Sequence, residues 1–178
     1  MERRVALLRG INLGPNKRIA MPALRDLLSG AGFDDVQTYV QSGNLVLSTE
    51  LGPDDLEREC ERLIAERFGF DIDVVTRSRD ELAEVVERNP FADVATDPKR
   101  YQVSFLSEEL DARRVDALAA AAAESERFAS LGRELYAWHP EGVARSRLWA
   151  KLAGPGLGVK ATARNWTTVT TLLAMADS

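Results

Sequence analysis

Apolar and polar positions recur along the chain at spacings that mark out most of its elements. Val5 to Leu8 is a short apolar run, broken by Gly10, Gly14, Pro15 and Asn16 before helical spacing sets in from Pro22 to Ser29. Pro22 suits a first helical turn, where its missing amide hydrogen costs nothing, and Leu24, Leu27 and Leu28 form the stripe to be buried. Val36, Thr38 and Val40 alternate with polar neighbours, and Leu45 to Leu47 resume a β-like run after Ser42-Gly43, which predicts a hairpin. Asp54 to Phe68 then has helical spacing with acidic residues in its first turn, and Ile72 to Val75 reads as a strand.

Ser78 to Arg88 follows as a helix, with Ser78 and Glu81 at capping-box spacing and Asn89-Pro90 as its stop. Tyr101 to Leu106 is a strand, Asp111 to Ala123 an alanine-rich helix, and Glu126 to Ala129 with Glu134 to Trp138 a hairpin around Gly132. Pro140 to Lys160 is rich in Gly, Pro and basic residues and reads as a long loop with one helical turn near Ser146 to Leu152. Thr162 to Ala176 reads as a closing helix with Thr162 as its N-cap. The expected fold class is therefore α+β: two ferredoxin-like halves of the βαββαβ type with mostly antiparallel sheets, the second half lacking its last strand, and a C-terminal helix. Residues 1–77 form the first half, and 78–178 a helix, the second half and the closing helix. Element order alone suggests duplication, since no residue-level repeat relates the halves.

Composition narrows the function classes. The 178 residues are 45% hydrophobic and 29% charged, an ordinary globular balance. No window approaches the roughly 18 apolar residues of a membrane span, and the start leads straight into a strand, so a cytoplasmic protein is expected. A formal charge of −5 disfavours nucleic acid as a partner. With one His, one Cys and no ligand spacing such as HExxH or CxxC, neither a metal nor a cofactor is expected. Cys60 falls on the stripe Leu56, Cys60, Leu63, Ile64 and reads as a packed core thiol. His139 has no Ser, Cys or orienting carboxylate assignable from spacing, which favours a non-catalytic role.

Three polar stretches stand out as candidate ligand contacts. Arg9-Gly10-Ile11-Asn12 with Lys17 precedes the first helix, where loop amides and cations can hold a phosphate or carboxylate, although a plain polar loop has the same composition. Gln41, Ser42 and Asn44 surround Gly43, a hairpin turn in one reading and a recognition loop in the other. Lys160, Thr162, Arg164 and Asn165 offer charges beside an expected helix N-terminus, or else Thr162 simply caps while Trp166, Val169, Leu172 and Leu173 pack. The catalytic residues, if any, are not assignable.

ALLRGINLG with Asn16-Lys17 and Met21, the turn TYVQSGN, Asn89-Pro90-Phe91, the strand Val103 to Leu106 and the terminal TARNWTTV together resemble the bacterial family called domain of unknown function 1697. The resemblance spans nearly the whole chain and implies an α+β, ferredoxin-like fold with no established activity to carry over. The chain departs from the family at Gly14-Pro15, where the family reads two glycines, and at Ala163, where it reads threonine. Three functions follow in order: a protein binding a small phosphate- or carboxylate-bearing ligand, a noncatalytic interaction or homo-oligomeric module using an exposed strand edge, and, last, a single-strand nucleic-acid binder.

Overall fold

The structure, a computed structural model, describes residues 1–178. Two compact units make up the chain: Met1–Glu84 with Thr171–Ser178, and Val85–Thr170.

The first unit runs β1 (Glu2–Leu8), α1 (Met21–Gly30), β2 (Asp34–Tyr39), β3 (Asn44–Thr49), α2 (Pro53–Phe68) and β4 (Val74–Ser78). Its antiparallel sheet has the order β2-β3-β1-β4. Alternation sends Ala6, Leu8, Leu45, Leu47 and Val74 to one face, where they meet the stripes Leu24 and Leu28 of α1 and Leu56, Cys60 and Ile64 of α2. Cys60 is fully buried there, as its periodicity predicts. The opposite register positions, Val5, Leu7, Val46, Val75 and Arg77, are buried as well. α3 (Arg79–Glu87) leaves this unit with the expected capping box: the Ser78 amide donates to Glu81 Oε1 over 2.8 Å and the Glu81 amide to Ser78 Oγ over 3.1 Å.

The second unit runs β5 (Tyr101–Leu106), α4 (Ala112–Ala121), β6 (Arg127–Leu131), β7 (Glu134–Trp138), α5 (Arg147–Ala153) and β8 (Ala161–Asn165), with sheet order β6-β7-β5-β8. Leu106, Leu135, Ala137 and Ala161 face Leu118 of α4 and Leu148 and Leu152 of α5. The α+β class and the two antiparallel halves stand as read from the sequence, with two corrections. The second half is complete, because β8 supplies the strand expected to be missing, and the closing helix α6 begins at Trp166 instead of Thr162. The physical reason is pairing: Gln102, Ser104 and Leu106 of β5 face Asn165, Ala163 and Ala161 across a ladder, so tertiary contacts override the helix-compatible local sequence.

The registers also expose a repeat that the sequence hides. In the first unit Val5 lies across from Arg77, and Ser78 follows as a helix cap. In the second Val103 lies across from Arg164, and Asn165 follows, its Oδ1 accepting from the Thr168 amide over 2.9 Å. Each sheet thus ends in a buried arginine and a capping residue that starts a helix.

Candidate functional site

In the first unit the β1–α1 loop and the β2–β3 turn are built as one platform. Asn12 is the clamp: its Nδ2 donates to the carbonyls of Ile19 (2.8 Å) and Gln41 (2.7 Å), and its Oδ1 accepts from the Ile19 amide (2.9 Å). Its own backbone sits at φ 56° and that of Lys17 at 53°, left-handed values that Asn tolerates and Lys adopts under constraint. Asn44, fully buried, donates to the Tyr39 carbonyl over 3.0 Å and to Ser42 Oγ over 2.9 Å and so fixes the turn from beneath. Gly43, at φ 81°, brings its carbonyl to the Leu8 amide at 2.9 Å. Asn12 and Asn44 therefore position these loops with side chains that are already occupied, while Gln41 is exposed and Ser42 half-buried.

Beside the platform opens a cleft of about 460 Å³ lined by Arg9, Gly10, Lys17, Glu61, Asp71 and Asp73. The Arg9 amide is tied to the Asp73 carbonyl over 3.0 Å, which joins the loop to the start of β4. Sequence reasoning selected the cations of this cleft and missed its carboxylates, because Glu61 is one acid among several on α2 and the Asp71, Asp73 pair reads as a solvated strand face. Leu13, 83% exposed, and Val40, 52% exposed and at φ 51°, flank the Asn12–Gln41 junction. Positive φ at a β-branched residue is costly, and such backbone collects at recognition sites.

The second-unit candidates lie on β8 and its flanks. Thr162 is not a helix cap: it is buried in the strand, and its Oγ1 accepts from Arg164 over 2.6 Å. Arg164 also donates to the Ala163 carbonyl over 2.8 Å, and burial pushes its guanidinium down to about 10. It stays protonated at neutral pH. Asn165 caps α6, and Lys160, half-buried, has its amide on Ser107 Oγ at 3.1 Å. The Arg164 guanidinium thus bonds within β8 itself, and the helix amides that Thr162 was expected to organise belong to Asn165.

One polar cluster escaped the sequence reading. His139, buried to 0% exposure, places Nδ1 2.5 Å from Glu126 Oε2, and Ser146 Oγ donates to that same oxygen over 2.6 Å. Ser146 Oγ accepts from the Trp149 amide over 3.0 Å as the N-cap of α5, and the Ala123 amide donates to Glu126 Oε1 over 2.9 Å. Burial alone would raise the Glu126 carboxyl, but the Ala123 amide, Ser146 and His139 outweigh it and hold the group below the usual carboxylate range. The lone histidine does have a carboxylate and a serine beside it, partners that spacing alone does not assign. The arrangement is not that of an activated nucleophile: Ser146 and Glu126 share one imidazole nitrogen, whereas a relay places them on opposite nitrogens, and His139 Nε2 is buried without a partner. Glu126 and Ser146 lie 13 and 7 positions from His139 on separate segments, before β6 and at the start of α5, so no single element's period announces them.

A family model described as "Protein of unknown function (DUF1697)" matches residues 1–136. Among solved structures the chain is similar to the conserved bacterial protein SP0830 from Streptococcus pneumoniae, at 23% identity over 98% of each chain with a TM-score of 0.78, a likeness of fold. No curated protein matches the sequence. No helix is long and apolar enough to cross a membrane.

Proposed function

The chain belongs to the DUF1697 family, and we propose that it binds a small phosphate- or carboxylate-bearing ligand in the cleft of its first unit. The observation that carries this reading is the convergence of Arg9 and Lys17 on one cleft beside backbone held in left-handed conformations by the Asn12 clamp. Strain of this kind persists where the surroundings over-determine it, and it preorganises the loop before any ligand arrives. Arg9 and Lys17 meet the acid group, and Gln41 and Ser42 border the approach. Glu61, Asp71 and Asp73 accept hydrogen bonds and repel a bare polyanion, so they favour a ligand whose remainder carries hydroxyl donors. A phosphorylated sugar has that combination.

Thermal melts of the full chain with glucose 6-phosphate, ribose 5-phosphate and gluconate test the idea. A ligand at about a hundred times its dissociation constant adds roughly 2.7 kcal/mol of stability. The Arg9→Ala, Lys17→Ala double variant should lose that increment, and an equal increment in the variant, or none in the parent with any of the three, overturns the proposal. A second reading rests on the exposed Leu13 and Val40, which suit a protein partner or a second copy of the chain. A monomer by light scattering that retains no partner removes it.

A further inference from the structure

The second unit has a cavity of about 540 Å³, lined by two stretches of chain, residues 120–123 with 125–126 and residues 141–142 with 144–147. The first wall is the carboxyl end of α4 and the alanines that follow it, small side chains that leave room for a compact molecule. Among the polar groups of the lining, Glu126 is internally satisfied by the Ala123 amide, His139 and Ser146. Three charged side chains are not: Arg145, Arg147 and Glu141 are exposed and take part in no ion pair or side-chain hydrogen bond.

Their backbone, in contrast, is fixed. Ser146, between the two arginines, is held by Glu126 and by the Trp149 amide, and its own amide donates to the Val143 carbonyl over 3.1 Å. Gly142, next to Glu141, donates to the His139 carbonyl over 2.9 Å. Two guanidinium groups and one carboxylate thus stand on anchored backbone around one cavity that the negative end of the α4 dipole also borders. Guanidinium groups recognise carboxylate and phosphate through paired N–H donors, and a carboxylate with helix-end carbonyls recognises an ammonium.

We propose that this cavity binds a small zwitterion: an acid group held by Arg145 and Arg147, an ammonium directed to Glu141 and the last carbonyls of α4, and a compact body against the alanine wall. The site is independent of the first-unit cleft.

Titration calorimetry of the full chain with O-phosphoethanolamine and glycine tests it, with inorganic phosphate and ethylammonium as single-charge controls. The expected result is saturable binding of at least one zwitterion, weakened at least about tenfold in the Arg145→Ala, Arg147→Ala double variant and in Glu141→Gln, and unchanged in the Arg9→Ala, Lys17→Ala variant. All these positions are solvent-facing or half-exposed, and thermal melts of each variant establish that it is folded. Inorganic phosphate binding as tightly as the zwitterions, indifference to the substitutions, or no heat from either zwitterion overturns the proposal. Because the first-unit variant is scored separately, failure here is distinguishable from failure of the sugar-phosphate reading.

Discussion

The Leu8 amide donates to the Gly43 carbonyl over 2.9 Å, and a Cβ built on Gly43 would lie 2.6 Å from the Cβ of Leu8. Two backbones meet here so closely that one of them can carry no side chain, and the contact sets the β2–β3 turn against the end of β1. The left-handed φ of 81° adds a second demand that only glycine meets without strain. Gly43→Ala is expected to destabilise by about 2–4 kcal/mol, combining backbone strain with overpacking against a fully buried neighbour. Urea denaturation measures it; a loss within experimental error of zero would mean the turn relaxes freely.

Asn12 offers a cleaner separation of side chain from backbone. Asn12→Gly keeps the left-handed conformation available but leaves the Ile19 and Gln41 carbonyls and the Ile19 amide without their partner. The loss should be about 1–3 kcal/mol, at the low end if water replaces the amide at this half-exposed position. Amide exchange should speed up at Ile19 in particular, since its N–H is the donor released. Unchanged protection at Ile19 would contradict the clamp.

Glu126 predicts an acid-sensitive second unit. Its carboxyl is held below its ordinary value in the folded chain by donors that outweigh burial. The folded state therefore binds that proton less readily than the unfolded state, and the stabilisation is fully present above the unfolded value of about 4.3 and lost as pH falls through the lower folded value. Glu126→Gln removes this dependence while keeping the shape of the side chain. Stability measured from pH 6 downward should fall less steeply in the variant; parallel slopes would show that other carboxylates carry the acid response.

The thiol of Cys60 is a chemical reporter for the first core. Fully buried on α2, it is pushed up to about 12, first by desolvation and then by Glu59, Glu61 and Glu57 around it. A disulfide-forming aromatic reagent at pH 8 should leave it unmodified in the folded chain and label it at the rate of unfolding. Rapid labelling under native conditions would place the thiol at the surface.

The sequence was informative wherever one period governed a segment. The α2 stripe with Cys60, the β1 and β5 runs and the Ser78–Glu81 capping box all appear in the structure as the spacing predicts. It was silent where a residue's role depends on a partner far along the chain. β8 is five residues, among them Ala and Arg, and owes its conformation to the β5 ladder. The Glu126–His139–Ser146 cluster joins three segments with no common period. The candidate first-unit loops were legible as Gly- and Asn-rich breaks, but that Asn12 and Asn44 face inward as supports, leaving Arg9 and Lys17 to line the cleft, is a fact of packing.

The start of α6 gives the sharpest test of the corrected fold. Asn165 Oδ1 accepts from the Thr168 amide over 2.9 Å, whereas Thr162 lies within β8 with its hydroxyl on Arg164. If the helix begins at Trp166, Asn165→Ala removes a cap and costs about 1 kcal/mol, Asn165→Asp retains it, and Asn165→Gly costs only a few tenths. Thr162→Val, nearly isosteric, should not follow a cap ranking at all. Instead it removes one acceptor of a buried guanidinium that keeps the Ala163 carbonyl, so its cost, about 1–3 kcal/mol for one buried hydrogen bond lost, is set by the strand and not by cap preference. Were the helix to start four residues earlier, Asn165→Ala would fall at a helix interior and be neutral or stabilising, since alanine is the better helix former there.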